Sequence, residues 1–95
     1  MRFEWDAAKS DANLEERGFD FAFASLVFDT STVEVEDRRK DYGERRMVAI
    51  GVADGLHLTV VYTDRQAAGG DVIRRIISSR RSSRHERKIY EKANP

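Results

Sequence analysis

Asp54-Gly55 is the most restrictive pair in this chain. Two runs that read as strands, Arg45 to Val52 and Leu56 to Thr63, lie on either side of it. An Asp-Gly pair between two such runs specifies a two-residue hairpin, because its tight turn needs positive φ at both central residues and matches the right-handed twist of the strands. An antiparallel pair in the middle of the chain commits the remainder to extending a sheet or covering it.

The neighbouring segments do both. Thr32 to Glu36 alternates apolar and acidic side chains and reads as a strand with one wet face, joined to the hairpin by a polar turn over Arg38 to Gly43. A further strand covers Val72 to about Arg80, following a loop that contains Gly69-Gly70. In an unbroken strand Ile73, Arg75, Ile77 and Ser79 share one face and Val72, Arg74, Ile76, Ser78 and Arg80 the other, so Arg75 and Arg80 diverge unless a bulge intervenes. Helical signals flank the strands. Phe3 and Trp5 suit a short opening strand, Asp6 is a suitable N-cap for a helix from Ala7 to Arg17, and Gly18 stops it. Asp20 caps a second, shorter helix from Phe21 to about Leu26, and Ser83 with Glu86 forms a capping box opening a terminal helix to about Lys92. The expectation is a single α+β domain over residues 1–95, with two N-terminal helices, an antiparallel sheet of about four strands and a C-terminal helix.

Charge is divided along this frame. Hydrophobic residues make up 40% of the chain, enough for one modest core, and charged residues 36%, more than an average domain carries. The zero net charge conceals three basic against ten acidic side chains in residues 1–37 and fourteen against seven in residues 38–95. Such asymmetry points either to a polyanionic partner for the basic half or to mutual attraction of the two halves. The absence of cysteine rules out disulfides and thiol chemistry and fits a reducing cytoplasm. Met1 to Asp6 lacks the pattern of an export leader, and the longest apolar runs fall far short of the ~20 residues of a membrane helix.

Several motifs occur in a telling order. Phe3-x-Trp5-Asp6-x-x-Lys9-x-x-x-Asn13 is followed by Gly18-Phe19-x-Phe21-x-x-Ala24, Val27-Phe28-Asp29, Asp37-Arg38 and Tyr42-Gly43-Glu44-x-Arg46. Downstream come Gly51, Val61-Tyr62-Thr63-x-Arg65, Arg75-Ile76-Ile77-Ser78-x-Arg80 and Glu86-Arg87-x-x-Tyr90. In order and spacing the chain resembles the BrnT-type ribonuclease toxins of bacterial type II toxin–antitoxin systems. The resemblance implies a RelE-like fold and a cytoplasmic, metal-independent endoribonuclease, without cofactor, that arrests translation. It further implies a BrnA-like ribbon-helix-helix antitoxin as partner, and leaves open whether two toxin chains pair inside that complex. Arg17 departs from the pattern, standing where the family commonly carries histidine, so a titrating group has become a permanent cation. The alternative is therefore a catalytically weak or inactive module that binds RNA or antitoxin. Ser79, in place of a usual alanine, is a change that a sheet tolerates.

Metal-independent cleavage of RNA proceeds by attack of a 2′-hydroxyl on the adjacent phosphate. It needs cations around the phosphorane, a proton acceptor and a proton donor. Arginine suits the first role through its paired donors and permanent charge, and the chain has thirteen arginines against four lysines. Arg75, Arg80 and Lys9 are the candidate phosphate ligands, set against structural ion pairing for the two arginines and a solvated surface for the lysine. Glu86 and Tyr62 are candidates for proton transfer, with core packing the plainer reading of Tyr62 and of Tyr90. Arg17, Arg46, Arg65 and His85 are candidates for RNA binding, with solvated strand-end or cap-region charge as the alternative. His57 reads as an exposed strand residue. Glu34, Glu36 and Asp37 follow from alternation on a wet strand, and no metal site is expected.

Overall fold

A computed structural model describes residues 1–95. The chain runs β1 (Arg2–Trp5), α1 (Ala7–Arg17), α2 (Phe21–Ala24) with a 3-10 turn at Ser25–Asp29, then β2 (Val33–Asp37), β3 (Arg46–Ala53) and β4 (Leu56–Gln66). A short 3-10 turn at Ala68–Gly70 leads to β5 (Val72–Arg81) and α3 (Arg84–Ala93). The strands form one sheet in the order β1-β5-β4-β3-β2. No helix is long and apolar enough to cross a membrane.

Local chemistry explains the termini of the elements. The Asp6 carboxylate accepts from the Lys9 amide at 3.2 Å, and Gly18 ends α1 with φ 85° and an amide that donates to the Leu14 carbonyl. Asp20 caps α2 through the Phe23 amide at 2.9 Å. Asp54 and Gly55 both take positive φ, 49° and 79°, as the hairpin turn requires. The capping box at Ser83 and Glu86 is complete.

Two expectations are corrected, and one open alternative is decided. The sheet has five strands rather than about four, and it is mixed, because β1 joins β5 in parallel with Arg2 opposite Ile73 and Trp5 opposite Ile76. Parallel pairing leaves no turn signature between its partners, and here the two strands lie at opposite ends of the chain. Only one full-length helix precedes the sheet: α2 is a single turn that tightens into the 3-10 segment. Val27 in that segment is wholly buried against Gly51, where a side chain would crowd it, since a β carbon there would sit 3.0 Å from that of Val27. Finally, β5 carries a bulge. Val61 faces Ser78 but Tyr62 faces Ile76, so Ile77 is the extra residue.

The bulge decides what each face presents. Ile76 and Ser79, three residues apart, both point into the core at 1% and 0% exposure, with Leu58, Val60 and Tyr62 of β4. Phe19, Phe21, Ala24 and Val27 cover this inner face. Arg75 and Arg80 lie opposite Thr63 and Thr59, residues of equal parity, and so share the outer face. There α3 lies across β2 and β3 and touches the start of β4 through Tyr90 and His57, tied by the Tyr90 hydroxyl donating to the Ser31 carbonyl at 3.0 Å. The rest of the outer face is open.

Candidate RNA-binding hollow

That open part of the outer face is an open cleft of about 540 Å³. Its floor is a stripe of valines, Val35, Val48 and Val61, one from each of β2, β3 and β4, continued by Ser78 of β5. Valine is placed there by strand alternation, and Val35 remains 59% exposed because α3 stops short of it. Arg17, Arg38, Arg39 and Arg80 rim the cleft, with Glu36, Asp37 and Glu86 between them.

Arg17 arrives from the end of α1. Pairing with β1 stops at Ile76, so the edge of β5 beyond it is unpaired, and the Arg17 guanidinium donates to the Ser79 carbonyl at 2.8 Å. A second bond to the Asn13 side chain at 3.3 Å steadies it, and Asn13 is itself anchored on the Phe19 carbonyl at 2.8 Å. Arg17 has no carboxylate partner among the ion pairs.

Arg80 is held by the start of α3. Its two terminal nitrogens meet the two oxygens of Glu86 at 2.6 and 2.8 Å, and Glu86 also accepts from the Ser83 amide at 2.7 Å. These donors, Arg80 first, outweigh burial and hold the Glu86 carboxyl at about 2. Asp37 is held equally low, at about 2, by the Arg39 side chain and amide and by the Tyr42 hydroxyl. Glu36 is lowered by Arg38 and Arg45. The carboxylates of the hollow are thus ionised throughout the neutral range, and each leaves its arginine with spare N–H donors.

Glu86 makes the stability of the fold depend on pH. Its folded-state value lies below the usual 4.5, so the pair with Arg80 stabilises the fold fully above that value and less as pH falls through the interval toward 2. Thermal melting of the parent and Glu86→Gln should therefore differ at neutral pH, with the parent higher. The gap should close between pH 4.5 and 2. A gap unchanged down to pH 2 would contradict the assigned pairing.

The remaining candidates are dispersed. Arg75 shares the outer face but lies about 15 Å along β5 from Arg80 at strand spacing, outside the hollow. Arg65 donates to Glu4 at 2.9 and 3.3 Å, and Arg75 meets the same carboxylate at 3.7 Å. Arg46 stacks on the Tyr42 ring, 4.0 Å from its centroid, and pairs with Glu44 at 3.2 Å. Lys9 is exposed on α1 and His85 in the first turn of α3. Tyr62 is 4% exposed on the inner face, its hydroxyl bonded to Glu34 and its ring beneath the Arg74 guanidinium at 3.9 Å. Burial first, then Glu34, raises the Tyr62 phenol well above its ordinary value.

Arg38, Arg39 and the valine stripe were not among the sequence candidates. The one signal for the arginines is the charge run Arg38-Arg39-Lys40 in a turn, while the valines acquire meaning only when three strands align. His57, expected to be exposed, is half-buried edge-on to Tyr90, with ring centroids 5.8 Å apart and its Nδ1 shielded without a hydrogen-bond partner. Once α3 folds back over the sheet, the start of the outer face of β4 is no longer fully solvated.

Among curated proteins none matches this chain. Residues 5–86 match a family model described as the ribonuclease toxin, BrnT, of type II toxin-antitoxin systems. That match runs from the last residue of β1 through β2 to β5 and into the first turn of α3, and it includes every residue lining the hollow. The chain belongs to the BrnT family of ribonuclease toxins.

Proposed function

We propose that the chain is a metal-independent endoribonuclease that binds an RNA phosphate in the valine-floored hollow and arrests translation in the cytoplasm. A BrnA-like ribbon-helix-helix antitoxin restrains it. The observation that carries this reading is the convergence of Arg17, Arg38, Arg39 and Arg80, from three separate segments, around an uncovered apolar floor. Guanidinium groups grip phosphate oxygens in pairs, while an apolar floor receives the face of an unstacked base.

In this reaction the 2′-oxygen attacks phosphorus, the bond from phosphorus to the 5′-oxygen breaks, and the products are a 2′,3′-cyclic phosphate and a 5′-hydroxyl. Arg80 and Arg17 neutralise the phosphorane. The incoming phosphate takes the Arg80 fork from Glu86, whose carboxyl then rises toward its ordinary value and accepts the 2′-proton. Water at the open mouth protonates the leaving oxygen. Arg75 and Arg65 around Glu4, with Arg46, extend phosphate contacts along the same face. Lys9 and Tyr62 lie outside the hollow, one on the α1 surface and one in the inner-face core.

The test is incubation of the purified chain with labelled RNA in excess chelator, beside Arg17→His. Cyclic-phosphate products from the parent are expected, and a histidine that titrates near neutrality should raise the rate. A second reading is favoured by one observation: Glu86 and Asp37, both held near 2, leave the unliganded hollow without a group tuned to neutral pH. RNA bound in a salt-dependent way but left intact by both proteins would establish a binding module instead.

A further inference from the structure

The positive charge that is free to meet a new anion lies mostly outside the hollow. Arg2, Arg38, Arg39, Arg45, Arg46, Arg65, Arg74, Arg75 and Arg80 each have a carboxylate within ion-pair distance. Four arginines have none, and three of these, Arg81, Arg84 and Arg87, follow one another across the junction of β5 and α3, with Lys88 beside them.

The fold brings these four together. Arg81 and Arg87 line one shallow recess of about 180 Å³ with His57 and Ser82, and Arg84, Arg87 and Lys88 line the adjoining one of about 230 Å³. Arg87 belongs to both, so the two recesses form one continuous basic surface. Arg84, Arg87 and Lys88 stand at the spacing of successive turns on one side of α3. Glu91 is the one carboxylate lining either recess, since Glu86 turns to the hollow and holds Arg80.

Folding alone does not account for this placement. The amino-terminal turns of a helix carry the positive end of its dipole and favour acidic side chains, with bases favoured at the other end. In α3 that end carries Arg84 and Arg87, and Glu86 is the one acid of the first turn. Like charges at Arg84 and Lys88, one turn apart, oppose the helix further. No residue of α3 is buried, so the cations do not secure the helix by packing either. A local rule broken without local compensation marks a functional surface.

We infer that Arg81, Arg84, Arg87 and Lys88 form a second phosphate-binding surface, which holds the backbone of single-stranded RNA flanking the nucleotide seated in the hollow. This rests on the ribonuclease reading for the identity of the strand. The surface adjoins the hollow through α3 itself, because Glu86 lines the one and Arg87 the other. Four unpartnered cations against one carboxylate suit a polyanion, and a backbone that bears a charge at every residue can meet them in series.

The experiment uses the full chain with Arg84, Arg87 and Lys88 all changed to glutamine, which keeps helix propensity. Affinity for a long labelled single-stranded RNA is measured as a function of salt, and cleavage is measured on that RNA and on a trinucleotide. The expected result is weakening on long RNA by about tenfold or more at low salt, and a salt slope shallower by about 0.7 for each phosphate that the variant no longer neutralises. Cleavage of the trinucleotide should be unchanged, and melting should occur no lower than in the parent because charge at the helix start has been relieved. An unchanged affinity and slope in the variant would overturn the inference even if the parent cleaves RNA. So would loss of polyglutamate binding with RNA binding intact, which would assign the surface to an acidic polypeptide. Because this readout is affinity, a parent that binds but never cleaves would refute the ribonuclease reading alone, whereas a parent without RNA affinity would overturn both.

Discussion

Replacing Arg80 with alanine is expected to lower kcat/KM for RNA cleavage by on the order of 100- to 1,000-fold, the usual loss when one preorganised donor to a developing oxyanion is removed. Stability should fall only slightly, as for Glu86→Gln at neutral pH, since both variants break one ion pair whose arginine is 49% exposed and exposed ion pairs contribute only ~0–1 kcal/mol. The effect on rate is large because Arg80 is fixed before substrate arrives. Its fork is set by Glu86 at 2.6 and 2.8 Å, and Glu86 is set in turn by the Ser83 amide. A phosphate that displaces Glu86 finds a guanidinium already oriented, so little reorganisation opposes charge transfer onto the phosphorane. Glu86→Gln serves as the control for α3. It leaves the cation but removes the proposed proton acceptor, so its rate should fall as well, and loss of the acid limb of the pH–rate profile in this variant, with that limb kept in Arg80→Ala, would distinguish the two roles. Steady-state kinetics of the two variants, with circular dichroism to verify folding, separate the cases.

Phe21→Ala should be the most damaging single change to the fold. Phe21 is 2% exposed and is the largest of the fully buried side chains, at the centre of the cluster formed with Phe19, Ala24, Val27, Leu58, Val60 and Ile76. Removing a buried phenyl ring costs about 3–5 kcal/mol, a transfer loss plus a cavity that the surroundings fill only in part. A domain of this size typically has only ~5–15 kcal/mol in total, and at ~4–8 °C per kcal/mol the midpoint should fall by more than 10 °C. The cavity would open beneath a one-turn helix that has little stability of its own. The Phe21 amide, which donates to the Ser10 hydroxyl at 3.0 Å, would persist, so the damage is to packing. Thermal and urea unfolding test this. A lower urea midpoint with unchanged slope is expected, and a midpoint within a degree of the parent would refute the assignment of Phe21 to the core.

Chemistry confined to a few neighbouring residues could be read directly from the chain. The Asp54-Gly55 turn, the Asp6 and Asp20 caps, the Gly18 stop and the Ser83–Glu86 box all appear where the residues place them. Each is a bond or a dihedral preference acting within about one turn of backbone, and no distant partner can easily overrule it. The spans of the four longer strands are legible as well, though not every face, because the bulge at Ile77 reverses the alternation of β5. Arg80 and Glu86, drawn from the ordered motifs, and Arg17, the departure from them, line one hollow, whereas Lys9, Arg46, Tyr62, Arg65, Arg75 and His85 lie elsewhere.

Tertiary structure settled whatever depends on register between distant segments. The pairing of β1 with β5 joins opposite ends of the chain, and its interruption after Ile76 is what frees the Ser79 carbonyl for Arg17. The bulge at Ile77 turned Arg75 and Arg80 onto one face, although a regular strand would have parted them. Val35, Val48 and Val61 became a floor only when three strands aligned and α3 stopped short of them. On its own, then, the sequence determined the elements, their caps and a surplus of arginine, because those follow from local geometry and composition. Which arginines meet, and over what surface, was decided by strand register and by a single extra residue, since one step along a strand reverses the direction of every side chain beyond it.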